Sequence, residues 1–199
     1  DYKDGRHPEK VTFTSMKEDA LRRDFTINGL FWDPFSQKII DYVDGQRDLK
    51  KHLIRTIGDP QKRFNEDKLR LLRAIRFSIK LQFEIEEKTL SCIQKMASEI
   101  KIVSRERIRD EIFKILTYNN ILNKMIQMKK LGLWEPIFQF PYHKKNIEFV
   151  HTIKGKIDPI LKFFGLFFNH KEEDILNILK LFKLSNKQLE YIQNLKYLT

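Results

Sequence analysis

The feature that most limits the fold is a change of period at Pro60. Beyond it apolar residues recur at three- and four-residue intervals and no segment alternates, so the rest of the chain is expected to be nearly all helix. Before it, short apolar runs are separated by turn residues. Gly29-Leu30-Phe31-Trp32 and Lys38-Ile39-Ile40 flank Asp33-Pro34-Phe35-Ser36 and predict a hairpin, while Val11-Thr12-Phe13 and residues 53–57 predict further short strands before a turn at Gly58-Asp59-Pro60. An α+β chain follows: a β-rich opening over residues 1–57, then a helical segment over 58–118 and a second over 119–199, with a soft boundary at 117–120.

The clearest helix is expected behind Asn65, an N-cap residue type, with Glu66 and Asp67 in the first turn where the helix dipole favours negative charge. Leu69, Leu72, Ile75 and Ile79 form one apolar stripe, and Asp67, Arg70, Arg73 and Arg76 lie three apart on another face. Further helices are expected over 86–100, from a Ser104 cap to about residue 117, and over 120–130, 158–168, 172–182 and 186–198. Gly132, Pro136, Pro141, Pro159 and Ser185 separate the later ones.

Hydrophobic residues make up 41% of the chain, enough to build a core and to exclude general disorder. A net charge of +11 favours a polyanionic partner, nucleic acid first, through field attraction and counterion release. One cysteine, Cys92, makes no internal disulfide and is assigned to packing. The five histidines show no paired ligand spacing, so no metal site is expected in this chain. No apolar run is long enough to span a membrane, and the polar start Asp1-Tyr2-Lys3-Asp4 carries no signal pattern and no initiating Met.

Three polar clusters could carry chemistry. Arg22-Arg23-Asp24-Phe25-Thr26-Ile27-Asn28 offers two guanidiniums for phosphate and a carboxylate for a hydroxyl, or alternatively a surface salt-bridge patch. Asp44-Gly45-Gln46-Arg47-Asp48-Leu49 reads as a turn before a helix. In Glu66-Asp67-Lys68-Leu69-Arg70, Asp67 and Arg70 at i and i+3 on one helix would project side by side. That fork matches a nucleobase edge, since Arg donates and Asp accepts from an exocyclic amine; an isolated surface ion pair is the plainer alternative.

In this order the clusters resemble successive motifs of class II tRNA nucleotidyltransferases, the CCA-adding enzymes, and of bacterial poly(A) polymerases. The match runs through "RRDFTIN", "WDPFSQKIIDYVDGQRDL" and "IRTIGDPQKRFNEDKLRLLRAIRFSIKL". Upstream, Asp4-Gly5-Arg6-His7-Pro8 with Val11 and Phe13 resembles the preceding hairpin; downstream, "SRERIRDEIFKIL" and "LGLWEP" resemble the next helical motif and the entry to the body. The likeness covers residues 1 to about 140 and continues to 199 only in helical character. It implies the later part of a nucleotidyltransferase head (1–57), a helical neck with a base-reading helix (58–118) and a helical RNA-binding body (119–199). Gly29 stands where the family usually has Ala, and Gln46-Arg47 follow Gly45 where it often has a second small residue; neither affects a contact carried over.

The resemblance assigns nucleotide binding to Arg23, Asp24, Asn28, Asp67, Arg70 and Arg73. Asp24 would hold the ribose hydroxyl with Arg23 assisting, Asn28 would lie near the triphosphate, Asp67 and Arg70 would read the edge of cytosine or adenine, and Arg73 would lie near base or phosphates. Residues 104–107 would support the base-reading helix. Lys144, Lys145, Lys154 and Lys156 are candidate tRNA contacts. The substrates implied are CTP, ATP and tRNA, in the cytoplasm, with Mg2+ as cofactor. The family holds its metal on a D-x-D after a glycine-rich turn. The sequence has no such element: Glu84-x-Glu86 and Glu172-x-Asp174 lack the glycine turn and read as solvated acids. The expectation is therefore a piece of a longer enzyme, with catalytic and metal-binding carboxylates upstream and no transferase activity alone. Poly(A) polymerase, a CC- or A-adding enzyme, and a non-catalytic RNA-binding module are the alternatives.

Overall fold

The computed structural model describes residues 15–155 and 157–196. The expected strand at Val11–Phe13, the motif at Asp4–Pro8 and Lys156 lie outside the described residues. Ser15 starts helix α1 (Met16–Arg22) with a capping box: its hydroxyl accepts the Glu18 amide at 3.2 Å and the Glu18 carboxylate accepts the Ser15 amide at 2.8 Å. Phe25 then bridges to Thr56, and a 3-10 turn spans Thr26–Asn28. The expected hairpin is present as antiparallel β1 (Leu30–Asp33) and β2 (Lys38–Asp41), with Trp32 opposite Ile39. Helix α2 (Gly45–Lys50) is started by Asp41, whose carboxylate accepts the amides of Val43 and Gly45 at 3.0 Å and of Gln46 at 2.9 Å.

Among the described residues this opening third is less β-rich than its turn residues predict. Helices α1 and α2 flank the hairpin, and β3 (Leu53–Ile54) is two residues long and pairs in parallel with β4 (Glu84–Ile85). A Cβ at Gly45 would stand 2.3 Å from the Thr26 carbonyl oxygen, so glycine is what lets α2 lie against the 3-10 turn. Buried Asp48 fixes that contact, accepting from the Thr26 hydroxyl at 2.8 Å and from Arg55 Nε at 2.9 Å. Arg55 in turn donates to Glu86, which caps the helix beginning at Glu87, so the Asp44–Leu49 cluster is structural.

The single helix expected from Asn65 is in fact two. Helix α3 (Pro60–Glu66) begins at Asp59, which accepts the Lys62 amide at 2.9 Å, with Pro60 in the first turn where its missing N–H costs nothing. It ends at Asp67, whose backbone is extended (φ −151°, ψ 106°), and α4 (Leu69–Leu81) starts anew. Asp67 Oδ1 accepts the Leu69 amide at 3.0 Å, so the residue expected inside a first turn instead caps the second helix. At its other end α4 stops at Gln82, left-handed at φ 56°, with Phe83 donating to the Ser78 carbonyl at 3.1 Å.

Helix α4 is the central strut. Leu69, Leu71, Leu72, Ala74, Ile75 and Ile79 are all buried, a band wider than one stripe, because neighbours pack on more than one side of it. These neighbours are α3, β3, β4, α6 (Arg105–Leu116) and α7 (Leu122–Lys130). Between α4 and α6 run α5 (Glu87–Met96) and a 3-10 segment, Ala97–Ile102; Ser104 precedes α6 without a side-chain cap bond. The later helices are α8 (Trp134–Phe138), α9 (Lys144–Thr152), α10 (Pro159–Gly165), α11 (Glu172–Leu181) and α12 (Asn186–Lys196).

Helices α8 and α9 were hidden by Pro136 and Pro141. Pro136 is the third residue of α8, where an amide has no partner inside the helix. An aromatic core joins α8 to the ends of α10 and α11, with Phe138 5.7 Å from Phe167 and 5.8 Å from Phe182 between ring centres. Among the described residues no helix is long and apolar enough to cross a membrane.

Arg76 and Glu111 clamp α4 to α6. Both are buried; Arg76 Nε donates to Glu111 Oε2 at 2.5 Å and Lys114 donates to Oε1 at 2.9 Å. Glu111→Ala leaves a buried guanidinium without its partner and is expected to lower the unfolding free energy by about 3–5 kcal/mol, measured by urea denaturation; a loss below about 1 kcal/mol would show the clamp to be idle.

Candidate functional site

Six residues singled out from the sequence meet on one cavity of about 460 Å³. Arg23, Asp24, Asn28, Asp67, Arg70 and Arg73 line it together with Arg22, Phe77 and Arg107. Two segments make most of the wall. One is the extended stretch between α1 and the 3-10 turn; the other is the α3–α4 junction with the first two turns of α4.

Asp24 joins them. It is 6% exposed and accepts four hydrogen bonds: the Phe25 amide and Asn28 Nδ2 at 2.9 Å on Oδ1, and Arg73 Nε at 2.8 Å and Nη2 at 2.6 Å on Oδ2. A carboxylate can be buried there only because charge-assisted donors replace its water. Arg73 and Arg76 also lie over the Phe77 ring at 5.5 and 4.1 Å, which makes that ring a floor for the cationic side chains.

Arg63 and Arg70 add a second tie. Arg63, nearly buried, donates to the Arg23 carbonyl, and Arg70 donates to the Arg22 carbonyl at 3.2 Å. Arg70 Nη1 also donates to the Arg63 carbonyl at 2.8 Å and to Glu66 at 2.7 Å. Hydrogen bonds from Arg70, and then from Arg63, outweigh desolvation and hold the Glu66 carboxyl below the ordinary carboxylate range. Glu66 therefore stays ionised at neutral pH. Its folded-state pKa is depressed, so this anchor is complete above about pH 4.5 and is lost as acid protonates it.

Asp67 and Arg70 face the same cavity but do not pair with each other. The chain break puts Asp67 on the junction rather than on the helix, and its Oδ2 accepts Arg107 Nη2 at 2.8 Å from α6. Side-by-side projection from one helix, as the spacing suggested, is thus corrected to convergence of a junction residue and a helix residue. Arg107 and Arg22 were missed as lining residues. Arg22 was legible, being the first Arg of the cluster; Arg107 comes from a motif read as support and reaches the cavity only through the α4–α6 packing.

Five guanidiniums and two carboxylates make the lining strongly cationic, suited to a phosphorylated anion that also presents hydrogen-bonding groups. Among the described residues none of the proposed RNA contacts lines it. Lys144 and Lys145 are exposed at the start of α9, Lys144 within 3.3 Å of Glu148, and Lys154 is exposed beyond it. Cys92 is half-buried against Met96, consistent with packing, and burial pushes its thiol pKa up. Among the described residues no group of three or more His, Cys, Asp and Glu is placed to hold a metal ion.

Residues 1–55 match a family described as the poly A polymerase head domain, and residues 82–146 one described as the probable RNA and SrmB-binding site of polymerase A. A CCA-adding enzyme of Ligilactobacillus salivarius is 36% identical over 196 residues, covering 96% of this chain and 48% of that protein. The chain belongs to the CCA-adding enzyme and poly(A) polymerase family. It spans about half the length of that relative. The fold agrees with solved members: the Bacillus stearothermophilus CCA-adding enzyme in complex with CTP superposes with a TM-score of 0.76 at 26% identity, over 90% of this chain and 46% of that one. The Thermotoga maritima CCA-adding enzyme complexed with tRNA gives 0.72 at 26%, over 92% and 48%. Members of this nucleotidyltransferase family generally use a divalent metal.

Asp67→Ala removes the acceptor that starts α4 and is expected to cost about 0.5–2 kcal/mol in thermal or urea unfolding. Asp67→Asn, which keeps an acceptor at the cap, should cost less than the alanine variant; equal losses would show that Asp67 does not cap the helix.

Proposed function

We propose that this chain is the nucleotide-selecting and RNA-gripping part of a template-independent enzyme that adds C and A residues to the 3' end of tRNA from CTP and ATP. The observation that carries the reading is the convergence of Asp67 and Arg70 on the same cavity as the Arg22–Asp24 segment and Arg73. A nucleotide needs groups of both kinds within its own length: cations for phosphate and a donor–acceptor pair for a base edge.

Cytosine and adenine each present an amino donor beside a ring-nitrogen acceptor, while uracil and guanine present other patterns. Asp67 would accept from the amine and Arg70 donate to the ring nitrogen. Arg70 is anchored to three protein oxygens, so it meets the base at a set position. Asp24 already holds four donors and acts on the sugar largely through Asn28, whose amide it orients, and Arg73. Arg23 is likewise committed, donating to Asp19 and to the Asn28 carbonyl, which leaves Arg22 the freer guanidinium for phosphate.

In the reaction the RNA 3' oxygen would bond to the α-phosphorus as the bond from that phosphorus to pyrophosphate breaks. The residues of this chain bind and orient the nucleotide for that step. The donor set among the described residues does not fit a metal, and we assign Mg2+ and the catalytic carboxylates to residues outside those described. Lys144, Lys145, Lys154 and Lys156 are proposed to meet the tRNA backbone, in a cytoplasmic setting, and the same division of labour assigns residues 1–57 to the head, 58–118 to the neck and 119–199 to the body. CCA addition is preferred to poly(A) synthesis because the relative aligned over nearly the whole chain is a CCA-adding enzyme.

The test is Arg70→Ala in the full-length protein, assayed with each ribonucleotide on tRNA ending at its discriminator base. Loss of one arm of this two-point contact is expected to reduce the preference for C and A over U and G by about ten-fold, with tRNA affinity little changed. An equal loss for every nucleotide would contradict base reading by this pair.

A further inference from the structure

We propose that Asp19, which does not line the cavity, is the positioning residue for its arginine pair. This rests on the nucleotide-binding reading above. One carboxylate serves two guanidiniums with separate oxygens: Oδ1 accepts Arg22 Nε at 2.8 Å, and Oδ2 accepts Arg23 Nε at 3.1 Å and Nη2 at 2.8 Å.

The helix makes this possible. Asp19 stands three and four residues before the two arginines, on the face of α1 that leads into them, and Arg23 ends the helix as its extended C-cap. The two arginines depend on Asp19 to different degrees. Arg23 is also held by the Asn28 carbonyl at 2.7 Å and by the Phe31 ring 4.4 Å below its guanidinium. The Arg22 side chain is 64% exposed, and among the described residues Asp19 is the group it pairs with.

An exposed arginine with no partner samples many rotamers and must surrender them when it meets phosphate; one already held does not. Asp19 therefore sets Arg22 at the cavity mouth and squares Arg23 behind it. Hydrogen bonds from Arg22 and then Arg23 hold the Asp19 carboxyl below the ordinary carboxylate range, so it is ionised at any assay pH near neutrality. Among the described residues the Asp19 side chain accepts from Arg22 and Arg23 and makes no hydrogen bond to Asp67 or Arg70. Its contribution belongs to phosphate and sugar binding and is the same for every base.

The test uses the full-length protein with Asp19→Ala, Asp19→Asn and Asp19→Glu, reading KM and kcat for CTP and ATP, titrated affinity for all four ribonucleotides, and the thermal midpoint. Asp19→Ala should raise KM for CTP and ATP alike by about three- to ten-fold, the cost of ordering a freed arginine side chain on binding. Base preference and thermal midpoint should hold, because alanine favours the helix and the Ser15 cap remains. Asp19→Glu, still able to reach both arginines, should restore most of the affinity, and Asp19→Asn should fall between. An unchanged KM in the alanine variant overturns the proposal, as does a rise confined to one nucleotide or one that appears only with a lowered thermal midpoint. Wild-type protein that bound all four nucleotides equally would sink base reading alone and leave the Asp19 comparison standing; wild-type protein that bound none would sink both.

Discussion

The structure depends on the ion pair between Asp24 and Arg73. These residues are 49 apart in the chain, and their two-point contact at 2.8 and 2.6 Å locks the extended segment after α1 against the first turns of α4. At 6% exposure the Asp24 carboxylate has its water replaced by Arg73 on one oxygen and by two neutral donors on the other. Whatever binds in the cavity binds between surfaces that this pair holds together. The carbonyls of Arg22 and Arg23, taken by Arg70 and Arg63, repeat the tie through the backbone.

Around it the architecture divides rigidity from exposure. Helix α4 is buried on several sides and clamped to α6 through Arg76 and Glu111, so Arg70 and Arg73 project from an element that cannot tilt without breaking a core. The group left able to move is at the rim: Arg107, exposed and paired with Asp67. A surface ion pair of that kind is worth at most about 1 kcal/mol and opens readily when a better ligand arrives. A stiff floor with an adjustable rim would suit the proposed binding of both a pyrimidine and a purine nucleotide.

The hairpin, the helical two thirds and the apolar stripe of α4 were legible because they depend on local period and turn residues. The break at Asp67 was not, since Asn65, Glu66 and Asp67 suit one helix start as well as they suit the end of one helix and the cap of the next. Ser15-x-x-Glu18 and Asp59-Pro60 announce α1 and α3, but Asp-Pro serves turns equally, and the second was read as one. The six residues that meet on the cavity were singled out through the order of three motifs, not through spacing: Asp67 and Arg70 alone fit a surface ion pair, whereas Arg70 pairs with Glu66 four residues before it and Asp67 with Arg107, a partner visible only once α6 is packed against α4. Asp19 passed unnoticed because a carboxylate at i−3 and i−4 from two arginines is commonplace on a helix.

The central claim is that a protein surface built on this tie substitutes for a complementary base. Its most direct test is the equilibrium affinity of the full-length protein for CTP, ATP, UTP and GTP in the absence of RNA, by calorimetric titration under one salt condition. CTP and ATP should bind at least about ten-fold more tightly than UTP and GTP. Four equal affinities would contradict it.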